Sequence, residues 1–224
     1  MSIVFTETFG FLPYDRGEIL RYSGTRGQSD DIDALLDECL EEIDGKTANR
    51  VCYSEFEISQ YGATLDLGFA KTNSLLLKKH LSDCDRIVVF AATIGIETDR
   101  LIAKYSRVSP ARALMFQAIG AERIEALCNA FDDTVKNRYV AKGERTVPRV
   151  SPGYGDIELE MQRKIFSVLD CPRKIGLSLN DSLLMSPSKS VTAIIGVSQG
   201  NEICTEKTGC AVCGYANCEY RRDL

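Results

Sequence analysis

Apolar residues recur every three to four positions in SDDIDALLDECLEEI, residues 29–43, where Ile32, Leu35, Leu36, Cys39, Leu40 and Ile43 share one face. This spacing predicts an amphipathic helix capped by Ser29 or Asp30. Residues 51–58, VCYSEFEI, read as a strand, and 73–81 as a second helix. RIVVFAATIG, 86–95, is a short apolar run ending at a glycine. That is the pattern of a buried strand entering a turn. The stretch VSPARALMFQAIGAERIEALCNAFDDTVKNRY opens with Ser109 as N-cap and Pro110 at the first helical position, and predicts the longest helix. Leu114, Ala118, Ala121 and Cys128 fall on one of its faces, and the small residues Ala118, Gly120 and Ala121 suit close packing against a sheet. IELEMQRKIFSVLD, 157–170, predicts a helix that Cys171-Pro172 stops. KIGLSL (174–179) and SVTAIIGV (190–197) alternate with period two and read as strands.

Helices and strands are interspersed without a regular βαβ repeat. The expected fold class is therefore α+β, a mixed or antiparallel sheet with packed helices. No internal repeat or low-complexity segment interrupts the chain. Composition changes near residue 199, where cysteines concentrate. The expected organisation is one domain over 1–198 and a short Cys-rich tail over 199–224.

Composition narrows the function. With 44% hydrophobic and 26% charged residues, the chain of 224 residues carries enough apolar material for a core. A net charge of −5 argues against a nucleic-acid-binding face, which needs a basic surplus to neutralise phosphates. No apolar run approaches the roughly 20 residues that cross a bilayer, and MSIVFTETFGF lacks the cationic start of a signal peptide. A cytoplasmic location is expected, with the nine cysteines reading as thiols or metal ligands rather than disulfides. The single histidine, His80, lies in LLLKKHLSD and reads as an exposed residue near a helix C-terminus, which excludes His-rich metal sites.

RVSPGYGD, residues 149–156, concentrates candidate chemistry. Ser151-Pro152-Gly153-Tyr154 places proline second and glycine third, the signature of a type II turn. The turn fixes where Arg149 and Tyr154 point. Arginine offers a planar fork for a carboxylate or phosphate. Tyrosine offers a flat face for a base or sulfonium, and a hydroxyl. Gly153 and Gly155 leave the main chain open to a ligand, and Asp156 is placed to cap the following helix. Two readings follow from the residues alone: a site for a small zwitterionic or nucleoside-bearing molecule, or a sharp structural turn carrying an exposed arginine.

The same residues carry a family resemblance. Arg149-x-x-x-Gly153-Tyr154, together with EILRYSG, FAATIG, IELEMQRKIFSVLD and KIGLSLNDSLLMSPSKSVTAIIG, resembles the activation domain of cobalamin-dependent methionine synthase, and most closely its short free-standing bacterial forms. The resemblance spans roughly residues 17–198. It implies binding of S-adenosylmethionine and presentation of its methyl group to cobalamin held by a partner. That partner is a cobalamin-binding methionine synthase subunit or another corrinoid protein, and a flavodoxin- or ferredoxin-type reductant supplies the electron. By position, the resemblance assigns Arg149 to the methionine carboxylate, Ser151 and Gly153 to main-chain contacts, Tyr154 to a ring or hydroxyl contact, and Glu125 to the ammonium or ribose, with Glu122 one turn away. The family's ligand-covering aromatic in the last strand has no counterpart in AIIGV, nor has its early acidic ligand-binding region in this N-terminus. An Asp-x-His-x-x-Gly cobalamin motif is also missing, so cobalamin is expected on a different polypeptide.

The tail spaces Cys204, Cys210, Cys213 and Cys218 as C-x5-C-x2-C-x4-C. Four thiolates at this spacing suit a [4Fe–4S] cluster or tetrahedral zinc. Metal-free thiols and a redox pair at Cys210/Cys213 remain alternatives. The other cysteines, Cys39, Cys52, Cys84, Cys128 and Cys171, read as small core hydrophobes. The leading expectation is an accessory reactivation subunit. The alternative is an iron–sulfur or zinc protein serving electron transfer to, or conformational control of, a corrinoid methyltransferase.

Overall fold

The structure, a computed structural model, describes residues 3–25 and 29–199. Its centre is a five-stranded antiparallel sheet in the order β1 (Phe5–Thr8), β2 (Arg50–Glu57), β6 (Arg86–Thr93), β10 (Ser190–Gln199) and β7 (Glu144–Thr146). Two small antiparallel ribbons accompany it. One contains β3 (Ser59–Tyr61), β4 (Thr64–Asp66) and β5 (Lys71–Thr72), and the other β8 (Ser178–Leu179) and β9 (Met185–Ser186). The helices are α1 (Arg16–Tyr22), α2 (Asp30–Ile43), α3 (Leu75–His80), α4 (Glu97–Tyr105), α5 (Pro110–Val140), α6 (Met161–Leu169) and α7 (Cys171–Ile175). The α+β class and the antiparallel sheet expected from the sequence are both present.

β6 and β10 are buried on both faces because helices cover each side of the sheet. On one face Val51, Val88, Phe90, Ala193 and Ile195 pack against Ile124, Leu127, Phe131 and Val135 of α5. On the other, Cys52, Ile87, Val89 and Ile194 meet Leu77 of α3, Ile165 and Leu169 of α6, and Ile175 of α7. The period-two pattern read in SVTAIIGV therefore marks the α5 face, while Ile194 between those positions serves the opposite core.

α5 runs 31 residues from Ser109, its N-cap, with proline in the first turn as the sequence predicts. At 1.5 Å per residue it spans about 46 Å, long enough to serve two cores. Its C-terminal half lies on the sheet, while Met115, Phe116 and Ile119 pack with Ile19 of α1, Leu36 and Ile43 of α2 and Leu101 of α4. Two expectations for this helix need correction. Leu114 is exposed rather than part of the buried face. Gly120 admits not the sheet but Thr98 of α4 and the Lys189 stem, which would lie 2.6 and 2.9 Å from an added Cβ.

The helix read over 157–170 is shorter, beginning at Met161, and it ends where Asp170 turns left-handed at φ 50°. Cys171-Pro172 does not stop a helix. It starts α7, with proline in the first turn, where a missing N–H has no cost. Lys174 and Ile175 belong to α7 and Gly176 ends it at φ 71°, so the strand expected over 174–179 reduces to Ser178–Leu179. Cys39, Cys52, Cys128 and Cys171 are buried and Cys84 is half-buried, all as thiols, in keeping with their reading as core residues.

Candidate functional site

Residues 147–150 continue the edge pairing of β7 along β10. Val147 N–H donates to Gly196 at 3.0 Å, and Val150 exchanges two hydrogen bonds with Ile194, at 3.0 and 2.8 Å. Extended backbone alternates its side chains. Val150 accordingly packs into the core on the α6 side, and Arg149 reaches the other way, to α5. There a polar stripe at i, i+4 and i+7 receives it. Arg149 Nη2 lies 2.7 Å from Glu125 Oε2, and Nη1 lies 3.0 Å from Asn129 Oδ1 and pairs with Asp132 Oδ2.

The structure thus brings together Arg149 and Glu125, two residues selected for one site from the sequence. It also settles which acid faces the arginine. Glu122 is buried elsewhere: its carboxylate pairs with Arg123 and accepts the Asp15 N–H at 3.2 Å. Arg123 in turn donates to the carbonyls of Leu12 and Pro13 and stacks on Tyr14, with its guanidinium carbon 4.3 Å from the ring centre. That cluster clamps the N-terminal segment to α5.

Asn129 and Asp132 were not singled out from the sequence. The available signal was their spacing from Glu125, which puts all three on one helix face. Burial raises the Asp132 carboxyl above its ordinary value even though the Arg149 charge opposes the shift. Its Oδ1 is buried and has no hydrogen-bond partner. Burial disfavours the Arg149 charge, but the negative charges of Asp132 and Glu125 more than offset this and raise its pKa. Beneath them burial pushes the Cys128 thiol up to about 12, so it stays protonated.

The turn after Arg149 is of the expected type. Tyr154 N–H closes it onto the Ser151 carbonyl at 3.2 Å, and Gly153 takes φ +88°. Pro152 and Ile157 are buried and anchor the loop, while the Tyr154 ring stands 66% exposed at its tip. Protein, rather than open space, lies closest to the two glycines. A Cβ on Gly153 would meet Leu159 at 3.1 Å, and one on Gly155 would meet Leu76 at 2.6 Å.

Asp156 does not cap the helix that follows it. Its carboxylate accepts from Ser74 Oγ at 2.5 Å and from the N–H groups of Leu75 at 2.7 Å and Leu76 at 3.3 Å, so it caps α3 and ties the loop down. These bonds, led by that from Ser74, hold its pKa below the ordinary value. Asp156 also borders an open groove of about 570 Å³ lined by Thr64, Lys71, Thr72, Asn73, Ser74 and Glu158, which none of the residues around Arg149 touches. His80 ends α3, with Nε2 2.6 Å from the Pro148 carbonyl, which fixes the approach to Arg149 rather than offering a base. The position expected to lack a covering aromatic belongs to β10, where Ile195 is buried against α5.

Cys204, Cys210, Cys213 and Cys218 lie outside the described residues. Among the described residues no group of three or more His, Cys, Asp or Glu side chains could hold a metal ion. No helix among them is long and apolar enough to cross a membrane.

The chain thus sets an antiparallel sheet between one long helix and a layer of short ones, with Arg149 and a tight turn at the sheet's edge. A solved structure described as the MetH reactivation domain bound to AdoHcy superposes with a TM-score of 0.64 at 16% identity, covering 89% of this chain and 80% of that one. Residues 73–202, more than half of the chain, match the family described as the vitamin B12-dependent methionine synthase activation domain, and the chain belongs to that family. No curated protein sequence matches it.

Proposed function

We propose that this protein binds S-adenosylmethionine at the Arg149 cluster and supports reductive methylation of cob(II)alamin held by a separate corrinoid protein, in the first place a cobalamin-dependent methionine synthase. The observation that carries this reading is the 2.7 Å pairing of Arg149 with Glu125 beside the Ser151–Tyr154 turn. An amino-acid ligand carries one carboxylate and one ammonium, and this pair is complementary to both. On binding, the ligand carboxylate replaces Glu125 on the Arg149 fork, and the freed Glu125 carboxylate takes the ammonium. Each charge exchanges one partner for another, so the step leaves no buried ion unpaired. The Ser151 carbonyl and the Gly153 N–H are bonded within the loop, to the Tyr154 N–H and the Ile157 carbonyl. The Ser151 N–H and the Gly153 carbonyl are therefore the main-chain groups offered to the ligand, and Tyr154, already exposed, offers a ring for the sulfonium or the base.

An external electron and the sulfonium methyl together convert cob(II)alamin on the partner to methylcobalamin and leave S-adenosylhomocysteine. The residues of this chain contribute orientation rather than acid–base chemistry. A methionine synthase lacking its own activation domain, reduced flavodoxin or ferredoxin, S-adenosylmethionine and this protein are expected to yield methylcobalamin, followed by its visible spectrum. No methylcobalamin with any corrinoid partner would reject the reading.

The C-x5-C-x2-C-x4-C spacing favours a second role for the same chain: Cys204, Cys210, Cys213 and Cys218 hold a [4Fe–4S] cluster or zinc. A cluster would pass the electron, whereas zinc would act as a structural clip. Metal analysis and a visible absorbance spectrum of anaerobically purified protein separate the two. Colourless, metal-free protein rejects both.

A further inference from the structure

We infer that Asp132 makes this site select the cationic sulfonium of S-adenosylmethionine over its neutral thioether product, S-adenosylhomocysteine. This rests on the reading above, in which Arg149 and Glu125 receive the amino-acid end of the ligand. The two ligands differ by one methyl group and one positive charge. S-adenosylmethionine carries a sulfonium, an ammonium and a carboxylate, for a net +1, and its product is net neutral. A methyl group discriminates by about 10–200-fold only in a fitted apolar pocket; with Tyr154 exposed, the added charge is the difference that a carboxylate of this site can read.

The site has the matching asymmetry. Around Arg149, one guanidinium faces two carboxylates, Glu125 and Asp132, leaving one formal negative charge in excess. Once the ligand carboxylate has taken the place of Glu125, that acid is engaged by the ammonium. Both ligands carry the ammonium, so Glu125 does not distinguish them. Asp132 remains. One oxygen stays on Arg149, while Oδ1 is buried with no hydrogen-bond partner. The Asp132 side chain is also the more enclosed of the two acids, 29% exposed against 39% for Glu125, so water screens its charge less.

For a sulfonium held roughly 7 Å from Asp132, an effective dielectric constant of about 20–40 gives an attraction that corresponds to roughly a seven- to fiftyfold preference for the cation. The same term helps turnover, because transfer of the methyl removes the charge and loosens the product.

The test is calorimetric titration of the full chain with each ligand, in the wild type and in Asp132→Asn and Asp132→Glu. The expected result is wild-type preference for S-adenosylmethionine within that range, collapse of the preference in Asp132→Asn, and its return in Asp132→Glu. Should Asp132→Asn fail to fold, the wild-type preference must still shrink as salt is raised about tenfold. A wild type that binds both ligands equally, an unchanged ratio in Asp132→Asn, or a salt-insensitive ratio overturns this inference and leaves S-adenosylmethionine binding intact. A wild type that binds neither ligand overturns the underlying functional reading as well.

Discussion

Arg149 and Glu125 stand 24 positions apart in the chain, yet Nη2 and Oε2 meet at 2.7 Å because one lies on the edge of the sheet and the other on the helix that crosses it. Asp132 completes the arrangement on the same helix face. The guanidinium therefore has a structural role beside the one proposed for it toward the ligand. Arg149→Ala leaves the half-enclosed Asp132 carboxylate without its counter-ion and is expected to lower stability by about 1–3 kcal/mol, read from urea denaturation. Arg149→Lys keeps the charge but not the fork, and its stability should fall between the two. A wild-type-like denaturation midpoint for Arg149→Ala would show that the cluster adds nothing to folding.

Gly153 occupies φ +88°, in the left-handed region that a side chain tolerates poorly. Gly153→Ala is expected to cost about 1–2 kcal/mol from backbone strain alone, with Leu159 forced to yield because it would sit 3.1 Å from the new Cβ. The same change moves the Tyr154 ring. Ligand affinity should therefore fall by more than the stability loss predicts, a comparison open to titration of the folded variant.

Asp156 gives the fold a defined acid response. Its pKa is lowered in the folded state by Ser74 Oγ and the Leu75 and Leu76 N–H groups. A depressed carboxylate stabilises the fold above its unfolded pKa of 3.8 and loses that contribution as pH falls through the lower folded value. The stability gap between wild type and Asp156→Asn should be constant near neutral pH and close progressively below about pH 4. A gap that is flat down to the acid unfolding transition would remove Asp156 from the anchoring role.

Gly196 lies in β10, where an added Cβ would come within 2.6 Å of Cys84 Sγ and Leu81 Cδ2 and 2.7 Å of Val147 Cγ2. No flexible tip is available to absorb all three contacts. Gly196→Ala is expected to destabilise the domain by about 1–3 kcal/mol through overpacking. It should also loosen the neighbouring 147–150 segment, detectable as faster amide exchange at Val147 and Val150.

Local signals carried most of the architecture. Ser109-Pro110 marks the start of α5 and Pro152-Gly153 a type II turn, because each is decided by backbone sterics within a few residues, and the unbroken apolar run at 86–95 marks a strand buried on both sides. Two of the misreadings involve partners distant in sequence, and a third is local. Asp156 caps α3 because Ser74 and Leu75, more than 80 positions earlier, come to rest beneath the loop. Leu114 is exposed because the buried face of α5 is set by two separate cores. Cys171-Pro172 reads equally as a stop or a start, and the left-handed Asp170 decides between them. At the candidate site, Arg149 and the turn were picked out by a motif and Glu125 by the family resemblance, and the structure brings Arg149 and Glu125 together. Asn129 and Asp132 were not picked out, since their role exists only where α5 passes the edge of β10.

The most direct measurement is titration of S-adenosylmethionine into the purified full-length protein and into Arg149→Ala. Saturable one-site binding by the wild type, weakened at least about tenfold in the variant, is the predicted result. No binding by the wild type at ligand concentrations on the order of millimolar, or equal affinity in the two proteins, contradicts it.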